Sequence, residues 1–342
     1  MSPRNAPTTA PARAARDTSE TPDASAGAAK SSASRASSGK PPLVPPVMQR
    51  IAIVNFKGGV GKTTTTVNLA AGLARAGRRV LLVDLDGQAN ASLGLGIPRD
   101  ELAPSIAAVL LENRPLAEVV RATAIPGLSL VTADASLYGA DAALASTMAR
   151  ETRLAKALRT VASDYDVVLF DCSPALSVVT ANALLACDVA LIPVVPEYYA
   201  VEGLATLEST LEELREAVER PIPVLGVVLS RVTAGERATG ELVAAIRSHY
   251  GAVVFDTPIR KNIRLSEAPS FGQDIFGYAP DSPGAKDFQG LTREVLARLA
   301  AFGAGQGVPL PPGAIEVLDG VTPARTSGAA AATGAASAVG AS

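Results

Sequence analysis

A doubly wound α/β sheet, mostly parallel and with helices on both faces, is the fold this sequence predicts, on three observations. Between residues 51 and 302, short and almost wholly apolar runs alternate with longer segments of helical length and period. The first run leads directly into a glycine-rich turn and then a helix. Aspartates close two later runs, at the sheet edge where open parallel sheets gather their ligands.

Residues 51–56, 80–84, 128–132, 167–171, 189–195 and 224–230 read as strands. They are apolar at nearly every position instead of alternating, as strands are when both faces are buried. Residues 64–76, 151–162, 179–186, 203–218 and 240–250 have the length and spacing of helices. Glu208, Glu212, Glu213, Glu216 and Glu219 form a solvated acidic face on one of them. No internal repeat is visible.

The chain has 342 residues, of which 48% are apolar and 19% charged, which is globular usage. Twelve of its 25 prolines, together with runs of Ala, Ser and Gly, gather toward the ends. Residues 1–48 therefore read as a disordered Ala/Ser/Pro-rich arm, 49–302 as the folded domain and 303–342 as a disordered Gly/Ala/Pro-rich tail. Neither end has the large apolar side chains that offset chain entropy. With 31 basic and 33 acidic residues the net charge is −2, which excludes a uniformly basic nucleic-acid coat but leaves room for a local basic face. Cys172 and Cys187 are the only cysteines and lack CxxC spacing. That excludes a disulfide scaffold or four-cysteine metal centre and fits a reducing, cytoplasmic setting. No run of about eighteen apolar residues exists to span a bilayer, and the first 47 residues lack the apolar block of a secretory signal.

The sequence Lys57-Gly58-Gly59-Val60-Gly61-Lys62-Thr63-Thr64 lies between the first predicted strand and its helix. Glycines let backbone N–H groups turn toward phosphate oxygens, and a helix beginning near Lys62 aims its positive end at the same anion. Lys62 is placed to reach the β and γ phosphates of ATP, and the Thr63 hydroxyl to join a Mg²⁺ shell completed by phosphate oxygens and water. Asp84 and Asp86, two apart at a strand's end, leave it on one side, so both are expected to approach this loop from a neighbouring strand. Asp86 is the candidate for orienting the attacking water and, with Thr63 and Asp171, for the surroundings of the Mg²⁺ ion. Asp171, delivered by four apolar residues to another strand end, is the candidate for holding a water on Mg²⁺. Cys172 reads as a small buried residue, and His249, the only histidine, as neither base nor metal ligand.

The strict GxxxxGK[ST] pattern fails, because Phe56 stands five before Gly61. A lysine directly before the two glycines instead resembles the deviant phosphate loop, or deviant Walker A motif, of the MinD/ParA family of dimeric P-loop ATPases. In that family this lysine, here Lys57, crosses the dimer interface to the partner's nucleotide, so the resemblance implies catalytic roles for Lys57 and Asp86. The segment around Asp86 is similar to the family's Asp-Pro-Gln-Gly-Asn switch, with Gly87 for the proline and Ala89 for the glycine. Asp171, three residues before Pro174, is similar to the second phosphate-sensing segment.

The resemblance runs from about Arg50 to Leu299 and favours the ParA/Soj branch. Glu197-Tyr198-Tyr199-Ala200-Val201-Glu202-Gly203-Leu204 is similar to a ParA segment, and Asn262-Ile263-Arg264-Leu265-Ser266-Glu267-Ala268-Pro269-Ser270 to its late signature. Arg260-Lys261-Asn262 stands where relatives usually show Pro-Arg-Asn. What this implies is an ATP-dependent homodimer that binds DNA nonspecifically, with Arg231, Arg237, Arg247, Arg260, Lys261 and Arg264 as candidate contacts. It also implies nucleoid association and slow hydrolysis stimulated by a ParB-like or other cargo adaptor. The arm before Ile51 cannot form a helix-turn-helix, and residues 326–342 lack the basic amphipathic helix with which MinD relatives lie on membranes. An ATP-binding scaffold without turnover and a MinD-like spatial regulator are the alternatives. An iron-sulfur carrier lacks its cysteine motifs, and a bacterial tyrosine kinase its terminal tyrosine cluster.

Overall fold

A computed structural model describes residues 48–197, 209, 212, 216, 222–233, 235 and 237–303. Residues 1–47 of the expected arm, residues 304–342 of the expected tail, Tyr198, Tyr199 and most of the expected helix 203–218 lie outside the described residues. The strands are β1 (Gln49–Ile53), β2 (Val80–Leu85), β3 (Val120–Ala122), β4 (Leu128–Val131), β5 (Val167–Cys172), β6 (Val189–Val194) and β7 (Val224–Leu229). They form a seven-stranded sheet in the order β3-β4-β2-β5-β1-β6-β7. Every pairing is parallel except that of β3 with β4.

The apolar runs explain this arrangement. β2, β5, β6 and β7 are buried at every position, as strands covered on both faces must be. Alternate residues serve the two faces. Ile51, Ile53, Leu82 and Leu169 pack into one apolar cluster with Leu69 and Leu73 of α1 (Lys62–Arg75). Ala52, Val54, Val83 and Phe170 pack into a second cluster on the opposite face. That face carries α3 (Ile106–Glu112), α4 (Ala140–Leu144), α5 (Arg153–Leu158) and α6 (Val178–Ala186), and also receives Ile246 and Tyr250 of α7 (Arg237–Tyr250). A short α2 (Asn90–Gly94) follows β2, and α8 (Ile263–Glu267), α9 (Ile275–Tyr278) and α10 (Pro283–Gly303) close the described chain. No helix among the described residues is long and apolar enough to cross a membrane.

Among the elements that the sequence reading does not name are β3 and α10. β3 is three residues long and partly exposed, too short for any period to register. α10 buries Phe288, Leu291, Val295 and Leu299 at helical spacing, a signal that was present and overlooked.

The sheet order corrects the expected placement of the acidic pair. β2 is not beside β1; β5 lies between them, with Val80 and Gln49 both opposite Val167. Asp171 therefore comes from the strand adjacent to the glycine-rich loop, and Asp86 from one strand beyond. β1 has β5 on one side and β6 on the other, so chain connections diverge at its carboxyl end and open a crevice there.

Candidate active site

Local chemistry fixes the loop that enters this crevice. Asn55 donates its side-chain amide to the Pro193 carbonyl at 2.9 Å, and its Oδ1 accepts the Lys57 N–H at 2.8 Å. Gly59 and Gly61 have φ of 75° and 87°, a left-handed conformation that a Cβ would penalise. Gly61 is the N-cap of α1 and offers no side-chain acceptor, and no acidic residue occupies the helix's first turn. The first N–H donors of a fourteen-residue helix thus point into the crevice without a side-chain cap, an arrangement that favours an anion.

Lys62 is 7% exposed, and its Nζ donates to the Lys57 carbonyl at 3.1 Å. Burial lowers its pKa against the opposing pull of Asp171. Thr63 Oγ1 and Thr66 Oγ1 each donate to one Asp171 carboxylate oxygen at 2.8 Å. Asp171 therefore binds α1 and does not cap the following helix, whose N-cap is Ser177.

The two carboxylates of the β2 segment have separate places. Asp84 is fully buried and accepts from the Ser92 N–H at 2.9 Å, the Ser92 hydroxyl at 2.8 Å and the Asp86 N–H at 3.2 Å. It ties α2 to the strand end and is absent from the crevice lining. Asp86 does line the crevice, while its Oδ1 accepts the Gln88 N–H at 3.0 Å, so it serves the turn and faces the candidate site together. Asp84 and Asp171 stand opposite each other in register. Burial above all, reinforced by charge repulsion, raises both, Asp84 to about 7 and Asp171 to about 6.

The crevice has a volume of about 680 Å³, bounded by the glycine-rich loop and Asp86 on one side and by Arg231, Ile259 and Lys261 on the other. Ser230 lines it too, and its Oγ is buried without a hydrogen-bond partner. These features suit Mg-ATP: uncapped N–H groups and Lys62 for phosphates, an orphaned hydroxyl beside Gly61, and hard oxygen donors in Thr63, Asp86 and Asp171. Among the described residues no three His, Cys, Asp or Glu side chains cluster to hold a metal alone, so the ion would need phosphate oxygens and water.

The six basic candidates do not form one free patch. Arg237 pairs with Glu241 at 2.9 Å, Arg260 with Asp287 at 2.6 Å and Arg264 with Glu267 at 2.8 Å. Arg247 donates to the Phe255 and Asp256 carbonyls. Arg231, at φ 54°, donates to the Gly59 carbonyl at 3.3 Å. Lys261 is exposed and carries no ion pair among the described residues. Arg231, Arg260 and Lys261 all line the crevice itself.

Cys172 is buried, with its thiol pushed well up, and Cys187 is buried as well. Ser230 and Tyr138, which touches the Asp86 loop, were not singled out by sequence, because nothing in their spacing marks them.

Residues 48–224 match a family model described as an AAA domain. The chain is 42% identical over 248 residues to the chromosome partitioning protein ParA of Myxococcus xanthus, covering 72% of this chain and 88% of that one. It is 44% identical over 252 residues to the chromosome-partitioning ATPase Soj of Thermus thermophilus, covering 74% and 97%. Among solved structures, the fold matches cobyrinic acid a,c-diamide synthase from Mycobacterium smegmatis with bound ATP analog and magnesium. The TM-score there is 0.66 at 29% identity, over 77% of this chain and 99% of that one. The cell division ATPase MinD of Pyrococcus furiosus matches with a TM-score of 0.61 at 25% identity, over 73% and 98%. With its lysine-preceded phosphate loop, its sheet order and these relatives, the chain belongs to the ParA/Soj family of chromosome-partitioning ATPases.

Proposed function

We propose that the protein is an ATP-driven switch in which Mg-ATP closes two copies face to face, the closed pair holds DNA without sequence preference, and slow hydrolysis releases it. The uncapped amino end of α1 inside the loop Lys57–Thr64, facing the Thr63–Asp171 pair, carries this reading. Lys62 and the loop N–H groups bind the phosphates. Thr63 and Asp171 would hold magnesium, which would supply charge neutralisation for the phosphates. Asp86 orients water for attack, and Lys57 reaches the partner's phosphates. A ParB-like or other cargo adaptor stimulates turnover. Lys261, unpaired at the crevice rim, is the leading DNA contact of the six, and its contribution is sequence-independent and salt-sensitive.

Titration calorimetry with Mg-ATP tests the first step: binding by the parent protein and none by Lys62→Ala is expected, and equal heats from both would overturn the reading. DNA retention is expected to require ATP and to weaken with salt; retention without nucleotide at high salt would contradict it. Gly87 and Ala89 depart from the switch wording of relatives, which favours a second reading as an ATP-binding scaffold without turnover. Phosphate release that falls in Asp86→Ala rejects the scaffold.

A further inference from the structure

Gly87 follows Asp86 directly and is buried although it lies in a loop. What covers it is the ring of Tyr138. A Cβ built on Gly87 would lie 2.9–3.1 Å from three atoms of that ring, closer than side chains pack. The next residue, Gln88, donates its side-chain amide to the Tyr138 hydroxyl. The ring therefore contacts the loop on one side of its turn and is hydrogen-bonded to it on the other.

Tyr138 rises from a firm base. It belongs to the one-turn helix Ala135–Gly139, whose N-cap Asp134 accepts the Ser136 N–H at 2.8 Å. Leu137 beside it is buried in the core. Just beyond, Asp141 accepts the Val178 N–H at the start of α6 at 2.8 Å. Tyr138 itself is 61% exposed, far more than core packing of an aromatic residue would leave. Gly87, Gln88, Tyr138, Ser173 and Pro174 line a second hollow of about 330 Å³ behind Asp86.

We propose that Tyr138 is a positioning residue for ATP hydrolysis: its ring clamps the Asp86–Gln88 turn through the gap left by the missing Gly87 side chain, and so fixes the Asp86 carboxylate in the crevice. The proposal rests on the ATPase reading and names one more residue of that site. The clamp acts on Asp86 and not on the phosphate loop, so it bears on turnover more than on nucleotide affinity. It also makes Gly87 and Tyr138 a matched pair. A methyl at residue 87 and removal of the ring disturb the same contact, so their effects do not add.

The test uses the full chain with Tyr138→Ala, Tyr138→Phe, Gly87→Ala and the double variant Gly87→Ala/Tyr138→Ala. Amide hydrogen exchange of residues 86–90, without nucleotide, is expected to quicken about tenfold in Tyr138→Ala, as loss of one hydrogen bond and its ring contact implies. Tyr138→Phe keeps the ring and should recover much of the protection. kcat is expected to fall by a similar factor while the ATP dissociation constant stays within about twofold. The double variant should be no worse than Tyr138→Ala. Unchanged exchange in Tyr138→Ala overturns the clamp, and unchanged kcat with faster exchange overturns its link to catalysis. Additive losses in the double variant overturn the pairing. If the parent protein shows no Lys62-dependent turnover, the ATPase reading fails by itself, and the exchange data still decide whether the clamp exists.

Discussion

Lys57 Nζ donates to Glu197 Oε2 across 2.8 Å, joining the phosphate loop to the chain just beyond β6. The side chains are 41% and 55% exposed, so the pair contributes about 0–1 kcal/mol and opens readily. The Lys57 ammonium holds the Glu197 carboxyl below the usual range. On the proposed mechanism, Lys57 must leave Glu197 to reach a second subunit's phosphates, and Glu197 competes with them. Glu197→Gln is therefore expected to leave the melting temperature nearly unchanged. It should lower the ATP concentration needed for self-association by up to about fivefold, the equivalent of 1 kcal/mol. Light scattering during an Mg-ATP titration measures this, and unchanged or weaker association would refute the competition.

The raised Asp84 and Asp171 carboxyls make the nucleotide-free protein sensitive to pH. Each binds its proton more tightly folded than unfolded, where the ordinary value is 3.8. Their contribution to stability is thus fully present below that value and is lost as pH climbs through about 6 and about 7. One linked proton gives a slope of ~1.4 kcal/mol per pH unit. Melting temperatures in nucleotide-free buffer should fall between pH 5 and pH 8, and Asp84→Asn should flatten the fall. An identical slope in the variant would show that this pair does not govern it.

Much of this arrangement was legible in the sequence because its signals are local. The run 167–171 carries its burial in its own letters, and Lys57 to Thr64 carries the phosphate loop in its glycines. What the letters do not carry is which strand lies beside which. Asp84 and Asp86 look alike two residues apart at one strand end. Only the course of α2, which brings Ser92 back to Asp84, separates an anchor from a site residue. The same holds for Arg260. It sits in the segment expected to contact DNA, but Asp287, distant in sequence, takes both its backbone N–H and its guanidinium. Tyr138 and Gly87 meet through tertiary packing alone, and no pattern of spacing foretells that.

Arg298 of α10 secures the far side of β7. It donates to the carbonyls of Leu225, Ala252, Val253 and Val254, and its guanidinium carbon lies 3.8 Å from the Phe255 ring centroid. Any Cβ on Gly226 would strike Arg298 and Phe255 together, which is why glycine stands inside a buried strand. Lysine cannot reproduce a planar fork that both stacks and bonds several carbonyls. Arg298→Lys is expected to cost about 2–3 kcal/mol, read as a lower denaturation midpoint at unchanged m-value. A loss under about 0.5 kcal/mol, the size of an ordinary surface substitution, would show that the clamp is redundant.

Ala89 ends the Asp86 loop in a left-handed conformation, φ 58° and ψ 30°, at the N-cap of α2. A Cβ there crowds the following backbone, at roughly 1 kcal/mol relative to glycine, and Ala89 is wholly buried with no side-chain hydrogen bond to offset it. The alanine persists because the turn is held from several directions: the Ala89 N–H bonds the Asp86 carbonyl at 2.8 Å, and Asp84 grips Ser92 one helical turn later. Ala89→Gly relieves the strain but widens the unfolded ensemble, so the net gain should be below about 1 kcal/mol, or up to about 3 °C in melting temperature. The same change loosens the loop that carries Asp86, so faster exchange of amides 86–90 should accompany the higher melting temperature. A lower melting temperature would mean that burial of the Ala89 methyl in the core outweighs the strain of the left-handed turn.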